Sequence, residues 1–174
     1  MKGLILKFCG IDLAVKRPST FGVLRGDIIE VYEGDEDLIL QLCATSEIVA
    51  IDSPLSYSKG FRDVDKQMIK RGYRVLPPSW MESLVAKAIK LSNLLRGTVI
   101  ETHPTSSLKN IGLDWRRYNV KKDVIDAVVA TLVSLFYAKG EAMEIRGLDG
   151  AIYLLPKKKI EIFKLSKNIF TFLE

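Results

Sequence analysis

The chain has 174 residues, 48% of them hydrophobic and 27% charged, with two cysteines and a net charge of +5. That length suits one domain with its own core, and the composition is that of an ordinary globular protein. Cys9 and Cys43 form no C-x-x-C pair, which argues against a zinc site or a secreted disulfide framework and predicts two buried, reduced thiols.

The first strand is expected over residues 3–11 (GLILKFCGI), a nearly continuous apolar run ended by Asp12. Residues 1–13 show no small-residue cleavage site and are interrupted by Lys7, so no signal peptide is read there. Residues 19–25 and 28–33 predict a hairpin about Gly26-Asp27. Residues 35–45 predict a helix with an acidic first turn, which suits the helix dipole. Residues 47–52 (EIVAID) form a short apolar strand ending in Asp52. A loop over 53–60 and a charged helix over 61–71, closed by Gly72, come next.

Ser79 is placed to cap a long helix to about Leu95, with Glu82 as its capping-box partner. Residues 98–101 (TVIE) predict a strand ending in Glu101, after which His103-Pro104 leads into a loop. The strongest helix is 120–138. Val124, Ile125, Val128, Val129, Leu132 and Phe136 recur there at helical spacing. Its apolar stretch, 124–138, is too short and too broken by Asp126 to span a bilayer. A hairpin is expected about Leu148-Asp149-Gly150, followed by a tail of alternating basic and apolar residues that opens on Pro156 and three lysines. No linker or repeat interrupts this order. The expected architecture is α/β, a mixed five-stranded sheet with helices on both faces, over residues 1–156, with 157–174 as an extension.

The acids carry the chemistry. Asp12, Asp52 and Glu101 stand at the C-terminal ends of strands, the edge where open α/β sheets bind ligands. Asp126 interrupts a segment otherwise suited to burial, where a lone carboxylate is costly without a partner, a metal or water. Asp123 lies on the same side of that helix, three residues earlier. Three or four carboxylates from separate elements are what Mg²⁺ or Mn²⁺ needs, and such a site supports phosphodiester hydrolysis. Each acid also has a bland reading: a turn residue for Asp12 and Asp52, a salt-bridge acceptor for Glu101, a dipole partner for Asp123. His103, the only histidine, is a candidate proton shuttle or a structural loop residue.

The segments FCGIDLA, VAIDSPL, TVIETHPTSS and KKDVIDAVVATL, in that order, resemble a family of predicted nucleases catalogued as domain of unknown function four-twenty-nine. They are also distantly similar to the RuvC-type junction resolvases. The resemblance covers residues 3–156 and ends on DGAIYLLP. It implies a ribonuclease H-like fold in which Asp12, Asp52 and Asp126 are the core metal acids and Asp123 an auxiliary one. Glu101 with His103-Pro104 matches an acid-x-x-Pro motif, and Arg62, Asp65 and Arg71 match an Arg-plus-Asp helix. The fourth-strand acid is Asp where the resolvases have Glu.

The function expected is therefore a metal-dependent nuclease, with Asp12, Asp52, Glu101 and Asp126 at the catalytic centre. Arg62, Lys66, Arg71 and Arg74 would contact phosphates, unless that helix is simply a solvated face. The uneven charge, −4 over residues 1–55 and +9 over 56–174, agrees with a nucleic-acid partner. The alternative is a non-catalytic module that homodimerises through the extension, using Phe163, Phe170 and Phe172. Neither reading needs a membrane, and a cytoplasmic location follows from the absence of export signals.

Overall fold

The computed structural model describes residues 6–174, so residues 3–5 of the expected first strand lie outside the described part. Nine strands join in one mixed sheet in the order β6-β7-β5-β4-β1-β2-β3-β9-β8. Strand β1 is Lys7–Asp12, β2 Ser19–Arg25, β3 Ile28–Gly34, β4 Ile48–Ile51 and β5 Thr98–Thr102. Strand β6 is Met143–Gly147, β7 Gly150–Leu154, β8 Glu161–Ser166 and β9 Ile169–Leu173. The five α-helices among the described residues are α1 Glu36–Cys43, α2 Asp63–Lys70, α3 Glu82–Leu94, α4 Pro104–Ile111 and α5 Lys122–Ala138. The α/β class and the mixed sheet are as expected. The count of five strands is not: two hairpins lengthen the sheet, one at each end.

The β1, β4, β5 and β7 strands run parallel, while β2, β3, β9 and β8 alternate in direction. Side chains alternate across the sheet with a period of two, and the two faces separate cleanly. Phe8, Ile48, Ala50 and Ile100 face α5 and its core. Cys9, Ile11, Val49 and Ile51 face the opposite core, closed by Ile39 and Cys43 of α1 and by Ala88 and Leu91 of α3. Helix α2 packs Val64 and Met68 against Ile145, Ile152 and Leu154 of the β6–β7 hairpin.

Helix α5 lies unusually close to β1, and Gly10 is the reason. A Cβ on Gly10 would stand 2.0 Å from the Thr131 amide nitrogen and 2.3 Å from the Ala130 carbonyl carbon. Backbone on both sides leaves no room to yield. Gly10→Ala should therefore lower unfolding free energy by at least about 3 kcal/mol, the upper range for overpacked cores, as read from urea denaturation. A loss below about 1 kcal/mol would mean that α5 can shift outward.

Four local expectations are corrected. Ser79 caps no helix: Pro77-Pro78 starts a 3₁₀ turn, Pro78–Met81, and α3 begins only at Glu82 with Met81 as N-cap. The chain after His103-Pro104 is not a loop but α4, with Pro104 in its first turn and Gly112 at φ 65° ending it. Cys9 and Cys43 are joined in a disulfide across β1 and α1, not held as separate thiols. Cysteine usage is therefore no guide to compartment. The residues expected as an extension fold as the β8–β9 hairpin onto β3, and Ile160, Ile162 and Phe170 enter the α5 core. Phe170 and Phe172 are thus spent on this chain's own packing, leaving Phe163 exposed. Among the described residues, no helix is long and apolar enough to cross a membrane.

Candidate metal centre

Strand register builds the site. Asp12 ends β1 two residues beyond Gly10, and so it shares Gly10's face of the sheet, the face covered by α5. Asp52 follows β4 two residues beyond Ala50, on the same face, with its amide donating to the Ile11 carbonyl at 2.9 Å. Asp126 stands one turn into α5, over this edge of the sheet. One carboxylate oxygen from each of Asp12, Asp52 and Asp126 lies within 4.8 Å of the others.

Two cations answer these acids. Lys122, one turn before Asp126, places Nζ 2.8 and 3.0 Å from the two Asp126 carboxylate oxygens. Arg17 reaches Asp12 at 3.3 Å and Asp123 at 3.4 Å, so Asp123 sits at the rim of the cluster. With all four acids ionised they bring four negative charges and the two cations return only two, a deficit that one divalent cation would balance. Both cations were legible only as flanking charge. Lys122 stands four residues before Asp126, a helical pairing distance, but Arg17 lies in an irregular loop with no such signal.

The proton affinities record the crowding. Burial, and then the neighbouring Asp126, push Asp12 up to about 7, against the pull of Arg17. Burial and the Asp12 and Asp126 charges hold Asp52 well above the usual carboxylate range. Burial raises Asp126 as well, with Lys122 drawing it back. Oxygen-only ligands at this density suit a hard cation such as Mg²⁺ or Mn²⁺.

Glu101 belongs to a different constellation. It follows Ile100, which faces α5, and so it points to the opposite side of the sheet. There Arg62 meets it in two hydrogen bonds of 2.6 and 2.9 Å, and Leu55 donates its amide at 2.9 Å. The Arg62 guanidinium also makes two bonds to Asp65, at 2.8 and 3.0 Å, and its backbone amide donates a third at 2.9 Å. Burial pushes Glu101 up while Arg62 pulls it down. Burial works against the Arg62 charge, but the hydrogen bonds that it donates to Glu101 and Asp65 outweigh this and raise its pKa. Arg62 is only 3% exposed, so the expectation that it binds phosphate is corrected. Its guanidinium is committed to two buried acids. Lys66, Arg71 and Arg74 are exposed.

Asp12, Asp52, Glu101 and His103 nonetheless line one cleft of about 240 Å³, walled by Leu76, Met81 and Leu84. His103 Nδ1 is 2.6 Å from the Ser106 hydroxyl, and burial, helped by Lys122, lowers its pKa to about 4. It is neutral at neutral pH, which suits a hydrogen-bonding partner better than a carrier of protons. No family model matches the chain, and no curated protein matches it in sequence.

Proposed function

We propose that this protein is a divalent-metal-dependent nuclease of the ribonuclease H-like kind. The observation that carries the reading is the convergence of Asp12, Asp52 and Asp126 within 4.8 Å, from two parallel strand ends and one helix. The five inner strands support it. Their order, β3-β2-β1-β4-β5, with only β2 antiparallel to the rest, agrees with the antiparallel-then-parallel sheet that the resemblance implies. The resemblance of the four sequence segments points the same way.

Asp12, Asp52 and Asp126 would hold Mg²⁺ or Mn²⁺, with Asp123 supporting from the rim. A cation bound there supplies Lewis acidity toward a phosphodiester. The chain's own residues do the rest. The apolar wall of Leu76, Met81 and Leu84 lowers the dielectric around the acids and strengthens each charge interaction. Lys122 holds the Asp126 carboxylate in place from the same helix, and Arg17 holds Asp12. The Arg62–Glu101 pair fixes the far wall of the cleft.

One observation favours a second reading, a non-catalytic module: Lys122 and Arg17 already partner the carboxylates that a metal would need. A single experiment separates the two. The protein incubated with Mg²⁺ or Mn²⁺ should cleave at least one of branched, duplex or single-stranded DNA or RNA. Chelation with EDTA and the substitution Asp126→Asn should each abolish the cleavage. No cleavage of any substrate, together with no heat on titrating Mn²⁺ by calorimetry, would leave the second reading standing.

A further inference from the structure

A second feature lies on the surface away from the acids. A groove of about 540 Å³ is lined by Arg71, Lys109, Lys157, Lys158 and Lys159, and no acid lines it. The five cations come from three segments far apart in the chain: the end of α2, the end of α4 and the loop before β8. The fold brings them together. Lys109 Nζ donates to the Gly72 carbonyl at 2.8 Å, tying α4 to the end of α2. Asn110 donates to the Leu155 carbonyl at 2.8 Å, drawing the lysine loop to the same place. Lys158 and Lys159 also meet Glu174 and Glu161 at 3.7 and 3.1 Å.

The groove is connected to the candidate centre by α4. Thr105 and Lys109 are exposed one turn apart on that helix. Thr105 Oγ1 is 3.2 Å from the same Lys122 Nζ that holds Asp126. Lys109, at the groove, is therefore about 6 Å of helical rise from a residue beside the acids. Adjacent nucleotides of a duplex strand rise by about 3.4 Å, so one strand passing the acids would lie in the groove within a few nucleotides.

We infer that this groove binds the phosphate backbone of a nucleic acid and anchors it a short distance from the Asp12–Asp52–Asp126 centre. The inference rests on the nuclease reading for its substrate but not for its test. A concave groove lined by five cations and by no acid suits a phosphate backbone. Lysines and arginines there fix position without reading sequence.

Binding is measured by fluorescence anisotropy of a labelled DNA duplex in EDTA, so that no metal is bound and no cleavage occurs. The full chain is compared with the triple variant Lys157→Gln, Lys158→Gln, Lys159→Gln and with the double variant Arg71→Gln, Lys157→Gln. Neither Arg71 nor Lys157 touches an acid among the described residues, so the double variant leaves the fold's ion pairs intact. Each lost phosphate contact lowers the slope of log affinity against log salt by about 0.9. The triple variant should lose about 2–3 from that slope and bind at least about tenfold more weakly near 0.1 M salt. The double variant should lose about two-thirds as much, and a lysine-to-arginine triple variant should bind like the parent. Unchanged slopes in both glutamine variants would overturn the inference. So would binding of polyglutamate or phosphatidylserine vesicles as tightly as DNA at equal salt. Cleavage with unchanged slopes removes the groove alone, whereas altered slopes without any cleavage remove the nuclease reading alone.

Discussion

Metal-free protein carrying Asp12→Asn is expected to be more stable than the parent at pH 8 and to show no metal-dependent hydrolysis. The argument is electrostatic. Burial and the Asp126 charge raise Asp12 from an ordinary 3.8 to about 7 in the folded state. A carboxyl whose pKa is raised on folding costs stability above its unfolded value, and the full cost is reached above its folded one. For Asp12 that cost is bounded by about 4 kcal/mol at high pH. Asparagine removes the charge but also gives up the Arg17 contact at 3.3 Å, so a gain of about 1–3 kcal/mol is expected.

The parent should follow the same sign. Its unfolding free energy should rise by about 1 kcal/mol as pH falls from 8 to 6.5, the window in which Asp12 takes up its proton. Below 6.5 His103 opposes this trend. Its folded pKa near 4 means that its contribution is present above 6.5 and lost as pH falls toward 4. Saturating Mn²⁺ should stabilise the parent by mass action, flatten its pH dependence, and do neither to the variant. Hydrolysis should fall at least about 10³-fold, equivalent to roughly 4 kcal/mol of lost transition-state stabilisation. Denaturation curves with and without Mn²⁺ check both halves. A variant that is less stable than the parent, yet equally stabilised by Mn²⁺, would make Asp12 a structural residue.

How much of this was legible in the sequence depended on range. Asp126 could be read directly, because an acid inside VIDAVVATLV has few structural excuses. Asp12 and Asp52 are legible as strand-end acids, and their common face follows only from counting by twos from Gly10 and Ala50 once the strands are paired. Applied to β5, that same period-two count separates Glu101 from them, because Ile100 already faces α5. Helix α4 carries its own signals, Pro104 at the start and Gly112 at the end, although the His103-Pro104 step by itself suits a loop as well as a first helical turn. The Ser79 capping box failed to a local competitor, the rigid Pro77-Pro78 step. The Cys9–Cys43 bond and the Arg62–Glu101 pair join residues 34 and 39 apart, and no periodicity encodes such distances. The tail's alternation did encode strands. What it lacked was any sign that β9 would join the β3 edge of its own sheet.

Removal of Arg62 is expected to be the most damaging single change at the candidate centre outside the three clustered aspartates. A surface arginine on a charged helix would be worth a few tenths of a kcal/mol. Arg62 is not on the surface. It satisfies Glu101 and Asp65, which are 7% and 1% exposed, through four side-chain hydrogen bonds. Arg62→Met leaves both carboxylates buried without their cation, and stripping one partner from such a network costs about 3–5 kcal/mol. The loss should depend on pH in a way that identifies its cause. Burial already pushes Glu101 up in the parent, and Arg62 is its main restraint. Without Arg62 the folded protein should bind a proton at Glu101 more readily, so the variant's deficit should shrink as pH falls from 8 toward about 5. A second substitution, Glu101→Gln, should recover part of the stability at neutral pH by removing one stranded charge, whereas Glu101→Gln alone should destabilise the parent. Urea denaturation of the two single variants and the double variant, at pH 5 and pH 8, gives the coupling between the two residues. Coupling below about 0.5 kcal/mol, or a deficit independent of pH, would mean that Arg62 contributes through the packing of its stem and not through its charge.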